Sequence, residues 1–575
     1  MDQLAAPTIL DPLHPPCYYL PTDPSYPTPE QWQILNTTVN GNLIALTPLA
    51  TPCHQPHYNI QSCISLRNIW PLPETHYEDP ASIMSNFFAN NSCNPFLSPE
   101  TPCGGTGYVS YSVRVRGTED IKATVAFAKQ NNIRLVIRNT GHDYLGKSNG
   151  AGSLAVWTHH LKNITFSPNY ISKFYNGPAM TIGAGVQGFE ARAAALKEGY
   201  VLVSGNCDTI GVAGGYTQGG GHGQLTSMFG LAADQVLEWE VMIASGEVVV
   251  ARPGGDFDDL YWALSGGGGG VWGVVVSVTV RVYEEVRSAA ATLTFSVGRT
   301  KGSPGDEGIE LQRRRGAFRR AVEVFIAQLG PLLDERGAAV WAVTGNYSFG
   351  ATPVSIPGGS KDDLQRLLRP VLSVLKEGDM PYSYYVREYA TLNEAYDSMM
   401  PEHNLTELNG GGRFIPRSLL DSGFDGLTSS LWTILDSGEE TVISGVSVNA
   451  TLRHDHKHLQ PENSVHPAWR DAAISLVVAL PFTYTDWPVN LERQDLITRT
   501  LLPQLEELTP GGGAYLNEGN PNQEDWQRTF YGANYNRLLR VKRKYDPDGI
   551  FYALTGVGSE SWIQTDGGRL CRVTT

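Results

Sequence analysis

Two residues of this sequence carry side chains that could form covalent bonds to a bound molecule. His142 lies in RNTGHDYLGKS, residues 138–148, directly after the apolar run IRLVI. Cys207 lies in SGNCDTIGVAGGYTQGGGHG, residues 204–223, and the two are 207 − 142 = 65 residues apart. A histidine in a polar loop is more often solvated, and a lone cysteine is often a buried core thiol. Taken singly, neither residue establishes an attachment site.

Glycine is concentrated in the same parts of the sequence. The stretch around Cys207 is rich in glycine, and five successive glycines, residues 266–270, precede the run VWGVVVSVTV. Such backbone can approach a ligand closely, and its N–H groups can bind a pyrophosphate or ring carbonyls. A Rossmann site does not fit, because the glycine clusters do not lie between the first strand and first helix of a βαβ unit.

A metal site is an alternative use for some of the histidines. Alternating histidines in a polar stretch can bind metal, although a solvated loop is their commoner role. The candidate groups are His454, His456 and His458 in RHDHKH, or His142 with His222. We expect no metal site.

The composition disfavours several classes of function. The formal net charge is −15, which argues against nucleic acid or an anionic membrane as a partner. No apolar run approaches the ~20 residues that span a bilayer. A chain of 575 residues with 41% hydrophobic content should form two or more domains.

Hydrophobic periodicity predicts the elements that would position these residues. YVSYSVRV alternates as a strand does, and IRLVI indicates a buried strand. Between them we expect a helix capped by Thr118, with Ile121, Val125 and Ala128 on its apolar face. From residue 180 to 285, strands alternate with glycine-rich turns and one helix, FEARAAALKEG. The run after the five glycines is typical of a central strand.

The sequence changes in character from about residue 286 to 505. TLTFSVG and AAVWAVTGNYSF indicate strands, and RRRGAFRRAVEVFIAQLGPLL indicates an amphipathic helix with Phe318, Val322, Phe325 and Leu329 on one face. Strands and helices in this order predict an α+β domain with an antiparallel sheet. Further on, FYGANYNRLLRVKRKYDPDGIFY predicts a short amphipathic helix that ends at a DPDG turn.

The seven cysteines favour an oxidising compartment. Five of them lie in the first 103 residues, in loops rich in Pro, Asn and Ser. An odd count leaves at least one thiol unpaired. We expect the pairs Cys53–Cys63, Cys93–Cys103 and Cys17–Cys571, although the sequence alone does not determine connectivity. Reduced cytosolic cysteines are the alternative.

Six N-x-S/T sequons also agree with secretion, namely Asn36, Asn90, Asn163, Asn346, Asn404 and Asn449. The start, MDQLAAPTIL, has neither the basic nor the apolar region of a signal peptide. We expect that a signal peptide has been removed or replaced and that the protein is secreted.

Four stretches in order resemble a known family: RNTGHDYLGKS, SGNCDTIGVAGGYTQGGGHGQLTSMFGLAADQV, GGGGGVWGVVVSVTV and FYGANYNRLLRVKRKYDPDGIFY. They resemble the berberine-bridge-enzyme-like branch of the vanillyl-alcohol-oxidase (PCMH-type) flavoproteins, and most of all fungal secreted FAD-linked oxidoreductases. The resemblance covers residues 105–285 and 510–560 well. It implies an α+β, two-domain PCMH-type fold in which a substrate domain with an antiparallel sheet is inserted into the FAD-binding domain. We therefore expect a disulfide-stapled extension (1–107), an FAD-binding domain (108–285), a substrate domain (286–505) and a C-terminal segment that completes the FAD domain (506–575).

The same resemblance implies bicovalent FAD. His142 would be bonded to the 8α-methyl carbon of the flavin and Cys207 to C6, where a thiolate is the required nucleophile. The loop 139–148 would hold the pyrophosphate through backbone N–H groups, with Lys147 adding charge. The remaining residues expected at the cofactor are Arg138, Asn139, Thr140, Gly141, Gly146, Ser148, Gly205, Asn206, Thr209, Gly211, Gly214, Gly215, Gly221, His222, Gly223, Val275, Asn534 and Tyr535.

Oxidation of an alcohol by a flavin needs hydride transfer to N5 and a base for the hydroxyl proton, after which dioxygen reoxidises the flavin and yields peroxide. The candidate catalytic residues are Tyr515, Asn517 and Glu518 in GGGAYLNEGN, and Glu462 in ENSVHPAWR. Tyr515 and Asn517 share one face by period-2 alternation. Glu518 is either a base or a surface acid.

The leading hypothesis is an oxygen-dependent FAD oxidase that acts on an alcohol of secondary metabolism. Its partners would be the small-molecule substrate and O2, and we expect a monomer that binds neither nucleic acid nor membrane. The alternatives are a carbohydrate (oligosaccharide) oxidase and a flavoprotein that guides a cyclisation.

Overall fold

The computed structural model describes residues 17–104, 107–298, 307–400, 408–452, 461–565 and 567–573. Its N-terminal part consists of short elements: α1 (Pro29–Thr38), β1 (Leu43–Ala45), α2 (Ile60–Ile69) and α3 (Pro73–Tyr77). The disulfides Cys53–Cys63 and Cys93–Cys103 close loops within this part, and Cys17–Cys571 joins it to the C-terminus. The three predicted pairs are formed, and Cys207 remains a free thiol.

A four-stranded sheet contains the predicted βα unit. Its elements after β1 are β2 (Tyr111–Arg114), α4 (Thr118–Gln130), β3 (Leu135–Arg138) and β4 (Leu154–Trp157). Strand β4 lies between β2 and β3 and is parallel to both, and β1 pairs antiparallel with β2. Ile121, Val125 and Ala128 of α4 are buried in the core that this sheet forms, as predicted. The loop that carries His142 leaves β3 at the carboxyl edge of the parallel strands.

The predicted cap of α4 is wrong by one residue. Thr118 is the first helical residue, and the cap position is Gly117, which makes no side-chain cap bond. The carboxylate of Asp120 instead accepts hydrogen bonds from the backbone N and the side-chain Nε of Arg116, each at 3.0 Å. The entry to the helix is therefore stabilised by an ionic contact within its first turn.

A five-stranded antiparallel sheet follows. Its region comprises β5 (Ile164–Ile171), β6 (Asn176–Gly183), α5 (Gly188–Lys197), β7 (Tyr200–Val201), α6 (Thr226–Phe229), β8 (Val236–Met242), β9 (Val248–Ala251), α7 (Asp258–Leu264), β10 (Val274–Arg281) and β11 (Tyr283–Glu284). The strand order is β5-β6-β10-β8-β9, so β10, which follows the five glycines, is the central strand as predicted. Strands β7 and β11 pair separately.

The region after β11 forms a seven-stranded antiparallel sheet with helices. Its strands are β12 (Ser288–Ser296), β13 (Ala338–Thr344), β14 (Ser348–Pro357), β15 (Tyr382–Tyr389), β16 (Leu408–Pro416), β17 (Val442–Ser447) and β18 (Ala472–Pro481). Its helices are α8 (Glu307–Asp334), α9 (Lys361–Glu377), α10 (Leu392–Met399), α11 (Arg417–Asp421), α12 (Phe424–Leu435), α13 (Trp487–Leu496) and α14 (Pro503–Glu506). The strand order is β15-β12-β14-β13-β17-β18-β16. The predicted α+β class is confirmed.

The two faces of the seven-stranded sheet have different neighbours. One face packs against α8, α9 and α12 in the largest core cluster, where Phe318, Val322, Phe325 and Leu329 are all buried, as predicted for α8. Residues from the opposite face, such as Phe414, pack with Leu231 of the preceding region and with Tyr515 of the C-terminal segment. The second face of the sheet thus packs against the preceding region and the C-terminal segment.

The C-terminal segment returns to the first half of the molecule. It contains α15 (Trp526–Tyr531), α16 (Tyr535–Tyr545), β19 (Trp562–Gln564) and β20 (Leu570–Arg572). Leu538 and Val541 of α16 belong to the same core cluster as β8 and β10. No helix within the described residues is long and apolar enough to cross a membrane.

A buried ion pair attaches α16 to this core. Lys542 Nζ lies 2.6 Å from Asp546 Oδ2, with side-chain exposures of 7% and 0%. The ammonium also donates to the carbonyls of Val271 and Phe551, and Asp546 accepts from the amides of Ile550 and Phe551. Burial lowers the pKa of Lys542, whereas Asp546 favours its charged form.

We expect Lys542→Ala to lower the free energy of unfolding by about 3–5 kcal/mol, because it leaves a buried carboxylate without its counter-ion. Denaturant unfolding measures the change. Lys544→Ala is the matched control on the same helix: its pair with Asp259 is exposed, so its loss should cost at most about 1 kcal/mol. Equal losses for both variants would contradict this account of the pair.

Candidate functional site

The fold brings the two potentially reactive side chains to a common neighbour. Thr209 Oγ1 lies 2.6 Å from His142 Nε2 and 3.5 Å from Cys207 Sγ. His142 and Cys207 are both half-buried. His142 reaches this point on the loop after β3, and Cys207 and Thr209 reach it on the loop after β7. Residues 65 positions apart in the sequence therefore form one cluster in space.

Arg138 anchors the loop that carries His142. Its guanidinium is buried and donates hydrogen bonds to the carbonyls of His76 and Asp79, each at 3.0 Å. Burial lowers its pKa to about 10. Gly141 has φ +85° and a Cβ there would lie 2.6 Å from Arg138 Nη2, so this position favours glycine. Arg138 thus holds the N-terminal part and supports the loop, rather than offering its charge to a ligand.

The rest of the loop is folded around one carboxylate. Asp143 accepts hydrogen bonds from the amides of Leu145 and Ser148 and from the Ser148 hydroxyl. Burial lowers the pKa of Lys147 to about 8, partly offset by Asp143. The amides of Gly141 and Asp143 donate to no acceptor among the described residues. They are available to an anionic ligand such as a pyrophosphate.

The glycines between 204 and 223 mostly allow close contact within the protein. A Cβ at Gly211 or Gly214 would lie 2.2 or 3.1 Å from Asn139 Nδ2, which donates to the carbonyl of Ala184. A Cβ at Gly223 would lie 2.0 Å from the Ser204 carbonyl. Similar contacts with the Tyr216 ring would occur at Gly205 and Gly221, while Gly215 has more room, 3.8 Å from Asn517.

Tyr144 marks an internal cleft beside the cluster, and the sequence analysis did not select it. Its side chain is 63% exposed. The pKa of its hydroxyl is nevertheless raised, mainly because protein surrounds it, and further by Cys207 and Glu518. A ring that is exposed and yet surrounded by protein lies in an open cleft, and its electrostatic interactions place Cys207 and Glu518 near that cleft. The sequence signal was an aromatic residue within RNTGHDYLGKS.

Glu518 lies on the cleft with a hydrogen-bonded histidine behind it. Its side chain is 25% exposed, and Oε1 lies 3.2 Å from Nε2 of the buried His222. The His222 ring packs edge-on against Tyr515 and at a tilt against Trp469, with centroids 5.1 and 5.6 Å apart. Trp469 is a second aromatic residue that sequence reasoning did not identify.

Asn517 and Tyr515 form a rigid pair next to Glu518. Asn517 Nδ2 donates to the Tyr515 hydroxyl at 2.7 Å and to the carbonyl of Gly215 at 2.8 Å. Burial, followed by the charge of Glu518, raises the pKa of Tyr515. Tyr515 therefore remains a neutral hydrogen-bonding group at ordinary pH.

Several predicted site residues lie apart from the cleft. Glu462 has an 85% exposed side chain that pairs with Arg537 at 3.3 Å. Asn534 donates to the carbonyls of Ser464 and Val465, and the Tyr535 hydroxyl bonds to Glu560. The structure does not bring these residues to His142 and Cys207.

Four further predicted residues make contacts within the protein around the site. Thr140 is buried in the loop, and Val275 belongs to the core of the five-stranded sheet. Gly146 has φ +65° and lies against the ring of Phe88. Asn206 Oδ1 accepts from Gln224 at 2.9 Å. The metal alternative at His454, His456 and His458 lies outside the described residues.

Residues Gly141–Ser148 also satisfy the spacing G-x-x-x-x-G-K-S of nucleoside-triphosphate P-loops. A P-loop leads into a helix whose N-terminus binds phosphate. Here the loop passes through turns into β4, with no helix between. The segment is therefore a glycine-hinged loop at a sheet edge and not a P-loop.

The donor set fits a flavin dinucleotide. A half-buried imidazole and a free thiol both contact the hydroxyl of Thr209, and the carboxylate of Glu518 is partly exposed nearby. At the start of the loop, the amides of Gly141 and Asp143 have no acceptor among the described residues. The chain matches the family "FAD binding domain" over residues 109–252 and the family "Berberine and berberine like" over residues 514–558. Fold and site together define an FAD-dependent oxidoreductase.

Relatives that align with nearly the whole chain support the same class of protein. FAD-linked oxidoreductase sor8 of Hypocrea jecorina is 41% identical over 559 residues, 97% of this chain and 93% of sor8. VAO-type flavoprotein oxidase VAO615 of Thermothelomyces thermophilus is 41% identical over 575 residues, 97% of this chain and 96% of VAO615. The crystal structure of the VAO-type flavoprotein MtVAO615 from Myceliophthora thermophila C1 superposes with a TM-score of 0.88 at 39% identity, covering 97% of this chain and 100% of that one. This protein belongs to the berberine-bridge-enzyme-like branch of the vanillyl-alcohol-oxidase family, as the sequence motifs predicted.

We expect Gly141→Ala to reduce both thermal stability and the FAD held per chain. The substitution forces a side chain into φ +85° and against Arg138, at a cost of about 1–2 kcal/mol for the backbone alone. Thermal unfolding and the flavin absorbance per chain measure the two effects. Gly117→Ala is the control, because a Cβ there has nothing within 4 Å. Unchanged FAD content in Gly141→Ala would refute the proposed close fit of this turn.

Proposed function

We propose that this protein is an oxygen-dependent oxidase that oxidises an alcohol with FAD bonded to both His142 and Cys207. The observation that carries the proposal is the convergence of these two side chains on Thr209 beside a cleft that Glu518 also faces. When bound, FAD supplies the hydride acceptor and, through dioxygen, the route to hydrogen peroxide. The remaining chemistry belongs to residues of this chain.

Glu518 is the proposed base for the substrate hydroxyl. Its carboxylate is reachable from the cleft, and the hydrogen bond from His222 Nε2 fixes one of its oxygens at 3.2 Å. A positioned carboxylate can remove the hydroxyl proton as hydride leaves the adjacent carbon. Tyr515, held neutral and oriented by Asn517, can donate a hydrogen bond to the substrate oxygen. Glu462 is left out of this assignment because it is exposed and paired elsewhere.

The amides of Gly141 and Asp143 would hold the pyrophosphate, with Lys147 nearby. The proposed organisation keeps the FAD-binding domain at 108–285 with the segment 506–575, and the substrate domain at 286–505. The seven-stranded sheet would then face the isoalloxazine with the side that carries Phe414. Substrate selection would follow from residues on that side.

Secretion and a monomeric state remain part of the proposal. Three disulfides fit an oxidising compartment. Asn163 and Asn346 are exposed, as glycosylated sequons must be, whereas Asn404 lies outside the described residues. The partners would be a small alcohol and O2.

Covalent attachment is tested by acid precipitation of the purified protein. We expect a yellow pellet, because both bonds survive denaturation. His142→Ala and Cys207→Ala should each retain flavin through the remaining bond, and the double variant should release it. Flavin absorbance of pellet and supernatant gives the result. A colourless wild-type pellet with FAD in solution would disprove covalent attachment.

Glu518→Gln should slow anaerobic flavin reduction by about 10²–10⁴-fold, the usual contribution of a general base. Stopped-flow absorbance with an alcohol found by peroxide screening measures the rate. Glu462→Gln distinguishes between the two carboxylates predicted as the base. We expect its flavin to be reduced at the wild-type rate. The opposite ranking would assign the base to Glu462.

The substrate panel itself distinguishes the candidate functions. Peroxide release with small alcohols supports the proposal, and turnover of oligosaccharides instead would indicate a carbohydrate oxidase. Binding without flavin reduction or peroxide across the panel would favour a protein that guides a cyclisation.

A further inference from the structure

Thr209 occupies the position between the two proposed attachment residues. Its hydroxyl lies 2.6 Å from His142 Nε2 and 3.5 Å from Cys207 Sγ. A threonine hydroxyl can donate one hydrogen bond while it accepts another. Thr209 can therefore accept from the Cys207 thiol and donate to the imidazole at the same time. The backbone holds it there, since Gln187 Nε2 donates to the Thr209 carbonyl at 2.8 Å.

The thiol needs such help to ionise. Burial raises the pKa of Cys207, and the neighbouring carboxylate of Asp208 raises it further. Only the thiolate is a competent nucleophile. A nearby group that accepts the thiol proton would therefore speed any reaction at this sulfur.

The surroundings are arranged to stabilise a thiolate once it forms. The amides of Thr209 and Ile210 hydrogen-bond to the sulfur and lower the pKa of the thiol. Asp208 is paired with the buried Arg192 at 2.7 Å, which offsets its negative charge. Two further ionisable groups lie near the sulfur: the hydroxyl of Tyr144, which Glu518 also influences, and His142, which contacts Thr209.

We propose that Thr209 is a proton relay that activates Cys207 for its bond to the flavin, with His142 as the acceptor. The thiol proton passes to Thr209 Oγ1 as the hydroxyl proton passes to His142 Nε2. The sulfur then bonds to flavin C6, and the C6 hydrogen leaves as a proton. The two electrons released pass to dioxygen, which with two protons becomes hydrogen peroxide.

The relay places two requirements on the residues. His142 must form its own bond to FAD through Nδ1, because Nε2 is directed at Thr209. The hydroxyl of Thr209, and not its methyl group, must be the active part of the side chain. This inference rests on the proposed double attachment, and Thr209 acts through Cys207 as a positioning residue.

The test compares Thr209→Val with Thr209→Ser in the full-length protein expressed with FAD. Valine keeps the shape and removes the hydroxyl, whereas serine keeps the hydroxyl. Peptide mass spectrometry measures the fraction of chains with flavin on His142 alone and on both residues. We expect the doubly attached fraction to fall at least tenfold in Thr209→Val and to stay within twofold of wild type in Thr209→Ser.

A second measurement follows the doubly attached fraction during incubation in air at increasing pH. If Thr209 had only a structural role, raising the pH would not restore the second bond. Hydroxide can remove the thiol proton without a relay, so Thr209→Val should recover the second bond progressively as the pH rises above about 8.5, over the interval in which the buried thiol ionises. Cys207→Ala is the control and should form no second bond at any pH. In the wild-type protein, formation of the second bond should depend much less on pH over the same interval.

The outcomes separate the relay from the attachment itself. Wild type without a doubly attached species would disprove the double attachment, independently of Thr209. If wild type and Thr209→Val contain the same doubly attached fraction, the double attachment stands and the relay is disproved. Loss of all FAD from Thr209→Val would also overturn it, because threonine would then serve binding or folding.

Discussion

The contact between the Asn139 side chain and two glycines is the constraint on which the site depends. Asn139 Nδ2 donates to the Ala184 carbonyl at 2.6 Å, and it would lie 2.2 Å from a Cβ at Gly211 and 3.1 Å from one at Gly214. The loop after β3 and the loop after β7 can touch only because these positions have no side chain. Their contact sets the separation of His142 from Thr209 and thus of the two proposed bonds to FAD.

Long-range contacts then add the remaining wall of the cleft. The C-terminal segment brings Tyr515, Asn517 and Glu518 back to the glycine-rich loop, where Asn517 bonds to the Gly215 carbonyl. The seven-stranded sheet supplies Phe414 behind Trp469. A buried carboxylate, Asp234, fastens this arrangement by pairing with Arg470 and accepting from Asn463. Three separate parts of the chain therefore meet around His222 and Glu518.

Local sequence patterns predicted the helices and strands well, but they predicted the contacts of individual residues poorly. The apolar stripes of α4 and α8 are buried as their spacing requires, and β10 is central because a continuous β-branched run suits a strand covered on both faces. The cap at Thr118 was misassigned because Asp120 binds Arg116 instead. Arg138 and most of the glycines, which are predicted at the cofactor, also make close contacts within the protein. A sequence shows where a polar residue occurs, but it does not show which residue will be its hydrogen-bond or ion-pair partner.

The sequence by itself determined the family, the FAD cofactor and the α+β class, and it led to the proposal of His142 and Cys207 as the attachment pair. Short motifs are sufficient to predict these features because each motif reflects a local requirement of backbone geometry or of chemistry. Only the tertiary structure placed Tyr144 in an open cleft, paired Glu518 with the buried His222 and Glu462 with Arg537, and brought Thr209 into contact with both His142 and Cys207. Those relations depend on contacts between distant segments, such as His142 with Thr209, 67 residues apart, and His222 with Glu518, 296 residues apart. No local pattern encodes which segments will meet.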